Sequence, residues 1–516
     1  MRRAFQVQQF LEESARRVPH KVALVQQGRR ATYGEVDERA DRIAGALIAS
    51  GAEPGERVVV YMESSIDAVA AYFGILKAGC VVIMASPGLR TERLAYIVKN
   101  SGAGALITQS SRRAVALSLD CPSLNAVFTC DAAAPEEGPV MIAGRRAPRG
   151  TGDRSQPGID ADLAMIIYTS GTTASPKGVM LSHLNILSAA HSIVSYLEQG
   201  EDDVVINTMP LSFDYGLYQV LMAFLVGGTV VLEPSWTYPY QVLDVMRRER
   251  VTGFPGVPST FALFLAMRDI GRVELPPLRF ITNTAAALPV PHIRALRELF
   301  PRARLFSMYG LTECKRVSYL PPEQLDQRPT SIGKGMPNVQ VRVVDGEGNE
   351  VPPGVAGELV VRGSNVMLGY WGLPEETARF LKAGRYPGER DLYTGDLFTR
   401  DREGYLYFVA RKDDIIKCGG EKVSPREVEQ VLYALPGVAE AAVVGVPDEI
   451  LGHAIKAVIV KDAAAVLDAA GVLQHCAQLL EPTKVPKYVE FAAALPKTEN
   501  GKIGRKDLAV TAGPAS

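Results

Sequence analysis

The sequence predicts an α/β fold, with a large amino-terminal α/β domain of several subdomains followed by a small α+β domain. Three observations support this. The chain has 516 residues, more than one hydrophobic core usually organises. Up to about residue 400, apolar strand-like runs alternate with amphipathic helical stretches, which is typical of layered α/β architecture. Hydrophobic residues make up 47% and charged residues 22%, the balance of an ordinary globular protein.

The first elements follow from local patterns. Residues 32–36, followed by Ala40, Ile43, Ala44 and Leu47 at helical spacing, predict a helix with one buried face. Turn residues then lead into an apolar run at 58–61 that predicts a strand. The same alternation predicts helices at 68–78 and 94–100 and strands at 81–84, 105–108 and 163–167.

The pattern changes near residue 403. Residues 403–408 predict a short strand pair, and Ser424, Pro425 and Glu427 predict a helix start with a cap, a proline and an acidic first turn. Two apolar runs at 441–446 and 457–460 predict strands. A helix between short strand pairs predicts a small α+β unit at the carboxyl end.

Charge and composition exclude several functional classes. The net charge is −1, from 56 basic and 57 acidic side chains, so the overall field favours neither nucleic acid nor an anionic membrane. The longest apolar run, residues 220–232, contains Gly227 and Gly228 and is too short to span a bilayer. Residues 1–10 lack the sustained apolar segment of a secretory signal. We therefore expect a cytoplasmic enzyme without a membrane span and without a nucleic-acid partner.

Cysteine and histidine spacing indicates neither a disulfide framework nor a metal site. The six cysteines contain no Cys-x-x-Cys pair, which indicates free thiols. The six histidines match no nucleophile or metal pattern. For His183, a packing or capping role is expected rather than contact with a nucleotide.

A polar loop follows the strand predicted at 163–167. Glycine backbone N–H groups and Ser and Thr hydroxyls can donate to anionic oxygens, and a lysine adds positive charge, so the loop predicts a triphosphate-binding segment. It is not the common P-loop, because no Gly-Lys-Ser/Thr triplet opens a helix here. Its candidate ligands are Thr169, Ser170, Gly171, Thr172, Thr173 and Lys177.

Five further segments follow this loop in order. They are Tyr309-Gly310-Leu311-Thr312-Glu313, Gly357-Glu358-Leu359, Tyr393-Thr394-Gly395-Asp396, residues 410–417 and residues 496–503. Together with the polar loop they resemble the motifs of the acyl-adenylate-forming superfamily. That superfamily includes acyl- and aryl-CoA synthetases, the adenylation domains of peptide synthetases and luciferases, and the resemblance runs over nearly the whole chain.

The resemblance implies a reaction and a domain division. A carboxylic acid attacks the α-phosphorus of ATP to give an acyl-adenylate and pyrophosphate. Residues 1–411 correspond to the domain that binds ATP and the acid, and residues 412–516 to a mobile lid with its hinge at Asp413. Lys502 corresponds to the lysine that contacts the carboxylate and the α-phosphate. Glu313, beside Thr312, corresponds to the glutamate associated with Mg²⁺, a metal that prefers hard oxygen ligands.

The resemblance also places the nucleoside. Asp396 corresponds to the acid that binds both ribose hydroxyls, and Arg411 to a residue that holds the same sugar. Tyr309 and Gly310 are expected beside adenine and the acyl carbonyl. Relatives usually carry glycines in the adenine-binding turn, whereas this chain has alanines there. The residues of that turn are Asn283, Thr284, Ala285 and Ala286.

The acid pocket, by the same resemblance, follows the segment that begins at Pro210. Its members are Phe213, Asp214, Tyr215, Gly216, Val257, Pro258, Met308 and Lys315, with Ser259, Phe261 and Thr284 as further candidates. Asp214 has two interpretations: it binds a substrate ammonium, as in amino-acid adenylation domains, or it has a structural role, which is favoured two to one because a buried charge needs a partner. The wall is expected to be mainly apolar and to suit an aryl, alicyclic or medium-chain acid.

The acceptor of the acyl group stays open at this stage. In relatives the lid rotates after adenylation and brings a segment equivalent to residues 418–422 inward, forming a tunnel for a second nucleophile. Gly419 and Gly420 suit a narrow passage for pantetheine, and Lys417 is a candidate for positioning it. CoA or carrier-protein pantetheine is the leading acceptor, and the amine of an amino acid or other small amine is the alternative. A nucleotide-binding protein without catalysis is disfavoured, because Lys502, Glu313 and the polar loop are all present.

Overall fold

The computed structural model describes residues 4–130, 139–144, 158–169, 176–268, 270–412, 414–418, 421–448, 451–462, 465–497, 503–505 and 508. Within these ranges the chain forms thirteen α-helices. They are α1 Gln9–Arg17, α2 Tyr33–Ala49, α3 Ile66–Lys77, α4 Thr91–Ser101, α5 Arg113–Leu117, α6 His183–Leu197, α7 Asp214–Val226, α8 Pro239–Arg248, α9 Pro258–Leu265, α10 Val290–Leu299, α11 Pro374–Phe380, α12 Pro425–Tyr433 and α13 Ala469–Leu479.

The strands of the large amino-terminal part come in three groups along the chain. The first is β1 Val22–Gln26, β2 Arg29–Thr32, β3 Arg57–Tyr61, β4 Val81–Ala85, β5 Ala105–Thr108, β6 Ala126–Thr129 and β7 Val140–Gly144. The second is β8 Leu163–Thr169, β9 Lys177–Ser182, β10 Val204–Asn207, β11 Thr229–Leu232, β12 Gly253–Gly256, β13 Phe280–Asn283, β14 Arg304–Tyr309, β15 Ser318–Leu320 and β16 Lys334–Gly335. The third is β17 Val339–Val344, β18 Gly357–Gly363, β19 Gly369–Tyr370, β20 Leu381–Ala383, β21 Arg390–Arg400 and β22 Leu406–Arg411.

Two large sheets with parallel centres organise these strands. Within the described residues, one has the order β16-β15-β14-β13-β12-β10-β11-β1-β2 and the other β19-β9-β8-β4-β3-β5-β6-β7. The strands from β14 to β1 in the first sheet and from β8 to β6 in the second are parallel, and the edge strands are antiparallel. Parallel centres covered by helices confirm the predicted α/β class.

The central helices α3 and α7 are buried on nearly all sides. Phe73 of α3 stacks on Phe224 of α7, with ring centres 5.2 Å apart and planes 5° apart. A Cβ on Gly74 would lie 2.7 Å from the carbonyl oxygen of Ala40 in α2, so glycine is required for this close helix contact. Because α7 is buried on nearly all sides, its sequence is an almost continuous apolar run. The same burial fixes the position of its amino-terminal turn, which begins at Asp214.

The remaining strands form two smaller sheets. Strands β17, β18, β20, β21 and β22 form an antiparallel sheet in which β21 pairs with β18, β20 and β22. The small carboxyl-terminal domain has its own sheet and core, with α12 and α13 packed on strands β23 Ile416–Cys418, β24 Glu421–Val423, β25 Val438–Asp448, β26 Gly452–Lys461 and β27 Tyr488–Phe491.

Outside residues 403–408 the predicted elements are confirmed in type, with differences at their ends and in one cap. The short strand pair predicted at 403–408 is wrong, because residues 403–405 form a turn and a loop and the single strand β22 begins at Leu406. Helix α3 begins two residues before the predicted position, and β25 and β26 are longer than the apolar runs that predicted them. Ser424 occupies the cap position of α12, but its hydroxyl donates to the carbonyl oxygen of Val409 at 2.5 Å and does not cap the helix. The Ser424 hydroxyl thus bonds to β22 of the amino-terminal part and not to the first turn of its own helix.

Among the helices of the described residues, none combines the length and the apolarity that crossing a bilayer requires.

Candidate active site

The predicted site residues follow the carboxyl ends of neighbouring parallel strands. Residues 213–216 come after β10, residues 257–258 after β12, residues 284–286 after β13 and residues 310–316 after β14. Because β14, β13, β12 and β10 are adjacent in one sheet, these segments meet at one edge. Ligands of open α/β sheets bind at this edge.

Gly310 forms the centre of the arrangement. A Cβ at this position would lie 2.2 Å from the carbonyl oxygen of Lys315 and 3.0 Å from Cα of Arg316. The chain therefore folds back tightly, and the N–H of Val317 donates to the carbonyl oxygen of Tyr309 at 2.9 Å. This return places Tyr309, Glu313 and Arg316 around a single turn, each with different neighbours.

Tyr309 and Arg411 converge on Asp396. The hydroxyl of Tyr309 donates to Oδ2 of Asp396 at 2.5 Å, and Nε of Arg411 lies 3.0 Å from Oδ1. Asp396 is buried, whereas Arg411 is half exposed. The nearby Asp396 carboxylate is the largest influence on Arg411 and raises its pKa. The three residues assigned to the nucleoside by resemblance are thus in direct contact.

Tyr370 contacts both Lys177 and Glu313. The ammonium of Lys177 pairs with Glu376 and lies 5.5 Å from the centre of the Tyr370 ring. The hydroxyl of Tyr370 donates to Oε1 of Glu313 at 2.8 Å. Burial, followed by the Glu313 carboxylate, raises the pKa of Tyr370, so the phenol stays protonated. Lys177 and the Thr312-Glu313 segment therefore face one region.

Sequence reasoning did not select Tyr370 or Glu376. Tyr370 lies in β19, a short edge strand that pairs with β9 next to Lys177, and Glu376 lies in the first turn of α11. A two-residue strand carries too little pattern to be found by periodicity. Only the pairing of β19 with β9 brings these side chains to the lysine.

Eight predicted residues lie outside the described ranges: Ser170, Gly171, Thr172, Thr173, Asp413, Gly419, Gly420 and Lys502. Their roles stay predictions. Described neighbours flank them: Thr169 pairs with Lys177 across β8 and β9, and Lys497 pairs with Ile503 in an antiparallel bridge. Lys417 lies in β23, opposite Lys422 of β24.

The turn assigned to adenine has an unusual backbone. Ala285 has a φ of +72°, in the left-handed region that favours glycine. The side-chain amide of Asn283 donates to the carbonyl oxygen of Ala286 at 2.9 Å, while its buried Oδ1 has no hydrogen-bond partner among the described residues. Ala285 thus has a backbone conformation that favours glycine, and the turn contains a buried acceptor.

Replacing Ala285 with glycine is expected to stabilise the protein by about 0.5–1 kcal/mol, because it removes a strained left-handed alanine at the cost of a more flexible unfolded chain. The matched control is Ala286→Gly, since Ala286 is exposed and does not have a positive φ. It is expected to be neutral or destabilising. Urea unfolding at constant m-value measures both, and equal shifts in the two variants would contradict the assignment of strain to Ala285.

The residues predicted for the acid pocket are gathered at the start of α7. Phe213, Tyr215, Val257 and Met308 belong to one buried cluster, and the hydroxyl of Tyr215 donates to the carbonyl oxygen of Thr282 in β13 at 2.9 Å. Gly216 is needed for close packing, because a Cβ there would lie 2.4 Å from the carbonyl oxygen of Pro210. Further members stand at the edge of the cluster: Pro258 begins α9, and Thr284 is buried beside the turn.

Asp214 forms a buried ion pair with Lys315. Nζ of Lys315 lies 3.4 Å from Oδ2 of Asp214 and 4.3 Å from the centre of the Tyr218 ring. Burial lowers the pKa of Lys315 to about 7, an effect that the Asp214 carboxylate opposes. This partner supports the structural interpretation of Asp214, since its carboxylate is already matched by an ammonium.

Three charged residues are buried beside the apolar residues predicted for the pocket wall. Besides Asp214 and Lys315, Arg316 is 2% exposed, and its Nη1 donates to Oγ1 of Thr284 at 2.5 Å. Sequence reasoning did not select Arg316, because a charged residue just before a strand normally faces solvent. The tight return at Gly310 turns it inward.

His183 has the packing role expected for it. Its Nδ1 accepts a hydrogen bond from the N–H of Val7 at 3.0 Å, and burial lowers its pKa to about 4. The imidazole is therefore neutral and joins the amino-terminal segment to α6.

Comparisons with known proteins agree with this arrangement. The family model for AMP-binding enzymes matches residues 11–371, and the model for the AMP-binding enzyme C-terminal domain matches residues 427–502. Feruloyl-CoA synthase of an Amycolatopsis species is 34% identical over 491 residues, covering 95% of each chain. ATP-bound MatB of Rhodopseudomonas palustris has a TM-score of 0.84 and 29% identity, covering 98% of this chain and 99% of that one. The amide bond synthetase McbA of Marinactinospora thermotolerans has a TM-score of 0.84 and 28% identity, with the same coverage.

Proposed function

The chain belongs to the AMP-binding enzyme family, and from that premise we propose that it joins a carboxylic acid to a thiol in two steps. In the first step a carboxylate oxygen bonds to the α-phosphorus of ATP, the bond to the β-phosphate bridging oxygen breaks, and pyrophosphate leaves. In the second step the acyl-adenylate passes its acyl group to the thiol of CoA or of carrier-protein pantetheine, and AMP leaves.

One observation carries the first step: the turn at Gly310 presents two different groups on two sides. On one side, Tyr309 donates to Asp396, which also pairs with Arg411. The Asp396 carboxylate can accept hydrogen bonds from both ribose hydroxyls. On the other side, Glu313 accepts a hydrogen bond from Tyr370, whose ring lies beside Lys177 at the end of the polar loop. A nucleotide bound with its sugar at Asp396 and its phosphates toward Lys177 would pass across Gly310.

The residues on the phosphate side fit Mg²⁺ carried by the nucleotide. Among the described residues, no group of three or more His, Cys, Asp and Glu side chains is arranged to hold a metal by protein ligands alone. Mg²⁺ at phosphates commonly uses one or two carboxylates together with phosphate oxygens and water. Glu313 supplies one such carboxylate, and the ion would neutralise charge on the phosphates.

The ion pairs around residue 413 support a hinge there and a lid of residues 412–516. On one side, Arg411 pairs with Asp396 and Lys412 with Glu358, both in the amino-terminal part. On the other side, Asp414 pairs with Arg505, which also binds Glu429 of α12. Between residues 412 and 414, the ion-pair partners of the chain thus change from residues of the amino-terminal part to residues of the small domain.

Replacing Asp413 with proline is expected to spare acyl-adenylate formation and to stall transfer, because a fixed φ limits the backbone change that domain rotation needs. Pyrophosphate release and product formation are measured separately in single-turnover reactions. Pro substitution at Glu481, which is exposed in the same domain and already has a φ of −63°, is the control. Equal loss of both steps in the Asp413 variant would count against the hinge.

A second acceptor has specific support, because McbA, an amide bond synthetase, is similar over 98% of this chain. In that alternative, the amine of an amino acid or another small amine captures the adenylate. Thioester formation is favoured by the Amycolatopsis feruloyl-CoA synthase, which is more similar in sequence. Mass spectrometry of products formed from ATP, an acid panel and either CoA, a carrier protein or amines separates the two. Amide without thioester would overturn the proposed acceptor, and ADP instead of AMP would overturn the first step.

A further inference from the structure

Arg316 is a buried cation without an anionic partner among the described residues. It is 2% exposed, its side-chain hydrogen-bonding neighbours are the neutral hydroxyls of Thr284 and Tyr196, and its Nε is buried without an acceptor. Its guanidinium lies 5.4 Å from the centre of the Tyr215 ring. A guanidinium carries five N–H donors in a fixed planar arrangement, so one or two hydrogen bonds leave other donors without an acceptor.

Asp214 of the pocket pairs with Lys315 and not with Arg316, since its Oδ2 lies 3.4 Å from the ammonium of Lys315. While Lys315 keeps its proton, the three charged residues together carry one positive charge in a buried site. A buried charge of this kind is destabilising unless an anion or several acceptors reach it.

The position of Arg316 indicates which part of the acid reaches it. Glu313, three residues earlier, contacts Tyr370 on the phosphate side, where the reacting carboxylate must lie. Arg316 instead contacts Thr284 and Tyr215 in the interior. An acid whose reacting carboxylate lies on the Glu313 side and whose other end extends into the interior would bring that end toward Arg316.

On the basis of the proposed function, we propose that Arg316 selects acids that carry a second anionic group, such as a distal carboxylate, at the end remote from the reacting carboxylate. The buried Nε and a terminal nitrogen of one guanidinium can bind two oxygens of a carboxylate side by side. The Asp214–Lys315 pair next to Arg316 closes the site to a substrate ammonium, because the Asp214 carboxylate is already occupied.

Matched acids test this specificity. Acid-dependent AMP formation is measured with dicarboxylic acids of graded length, aliphatic and aromatic, and with the monomethyl ester of each, which keeps the shape but removes the distal charge. The wild-type enzyme is expected to favour one diacid over its monoester by roughly ten- to a hundredfold in kcat/KM, the range of a hydrogen bond between charged groups. The variant Arg316→Met is expected to lose this preference, and Arg316→Lys to keep part of it.

Two further measurements separate a binding role from a structural one. Arg316→Met removes an unpaired buried charge, so it is expected to leave the free protein as stable or more stable, while a diacid no longer raises its melting temperature. Arg402→Met, which changes an exposed arginine in a turn, is the control and should behave as wild type. Lower stability of Arg316→Met together with an unchanged acid preference would assign Arg316 to packing and overturn the inference.

The outcomes for the inference and for the proposed function differ. AMP formation with monocarboxylic acids or monoesters at least as efficient as with every diacid would overturn the inference and leave the proposed function intact. Preference for an acid that carries an ammonium would also overturn it. AMP formation with no acid of the panel would count against the proposed function, and the inference would fall with it.

Discussion

Replacing Lys502 with alanine is expected to lower acid-dependent pyrophosphate release by about a hundredfold or more, the scale of removing one group that stabilises transition-state charge. An ammonium between the carboxylate and the α-phosphate reduces the repulsion between two anions as they approach. Affinity for ATP should change little, because Asp396, Tyr309 and Arg411 bind the other end of the nucleotide. Pyrophosphate release and calorimetric binding of a nonhydrolysable ATP analogue measure the two properties.

The neighbouring Lys497 supplies the matched control. Nζ of Lys497 lies 2.6 Å from Oε1 of Glu440 within the small domain, so Lys497→Ala should retain nearly full pyrophosphate release. Turnover at the wild-type rate in Lys502→Ala would remove Lys502 from the mechanism. A comparable loss in both variants would instead indicate a general disturbance of the small domain.

Replacing Asp396 with asparagine is expected to weaken ATP binding by roughly a hundredfold, because two hydrogen bonds from ribose hydroxyls to a charged acceptor are lost or weakened. Asparagine keeps the volume of the side chain. It reverses part of the hydrogen-bonding geometry, since its amide donates where a carboxylate oxygen accepts. Binding of ATP, 2′-deoxy-ATP and 3′-deoxy-ATP is measured for both proteins by calorimetry.

The deoxy analogues make this test specific to the ribose. The wild type should bind each deoxy analogue more weakly than ATP, whereas Asp396→Asn should distinguish them little, so that the effects are not additive. Asp391→Asn is the control: Asp391 lies in the same strand β21, is buried and pairs with Arg342 at 2.6 Å. It should lower stability and leave the discrimination unchanged. Additive effects of Asp396→Asn and ribose deoxygenation would place the ribose elsewhere.

Much of the fold could be predicted from the sequence, because the elements concerned are long and regular. Helix α2 repeats apolar residues at 3.6-residue spacing, and the parallel strands β3 and β4 are short continuous apolar runs. Such patterns depend on residues close together in the chain. The two-residue strand β19 and the unused cap of Ser424 have no such local signal, because neighbours from distant segments decide them.

The sequence by itself determined the family, the order of the motifs and the kinds of side chain available for a nucleotide and an acid, since these depend on residue type and spacing alone. The tertiary structure decided which charges meet. Asp214 and Lys315 are 101 residues apart, and only the packing of the first turn of α7 against the loop after β14 pairs them. The same loop, closed tightly at Gly310, buries Arg316. Burial and pairing depend on distances between remote segments, which spacing along the chain does not specify.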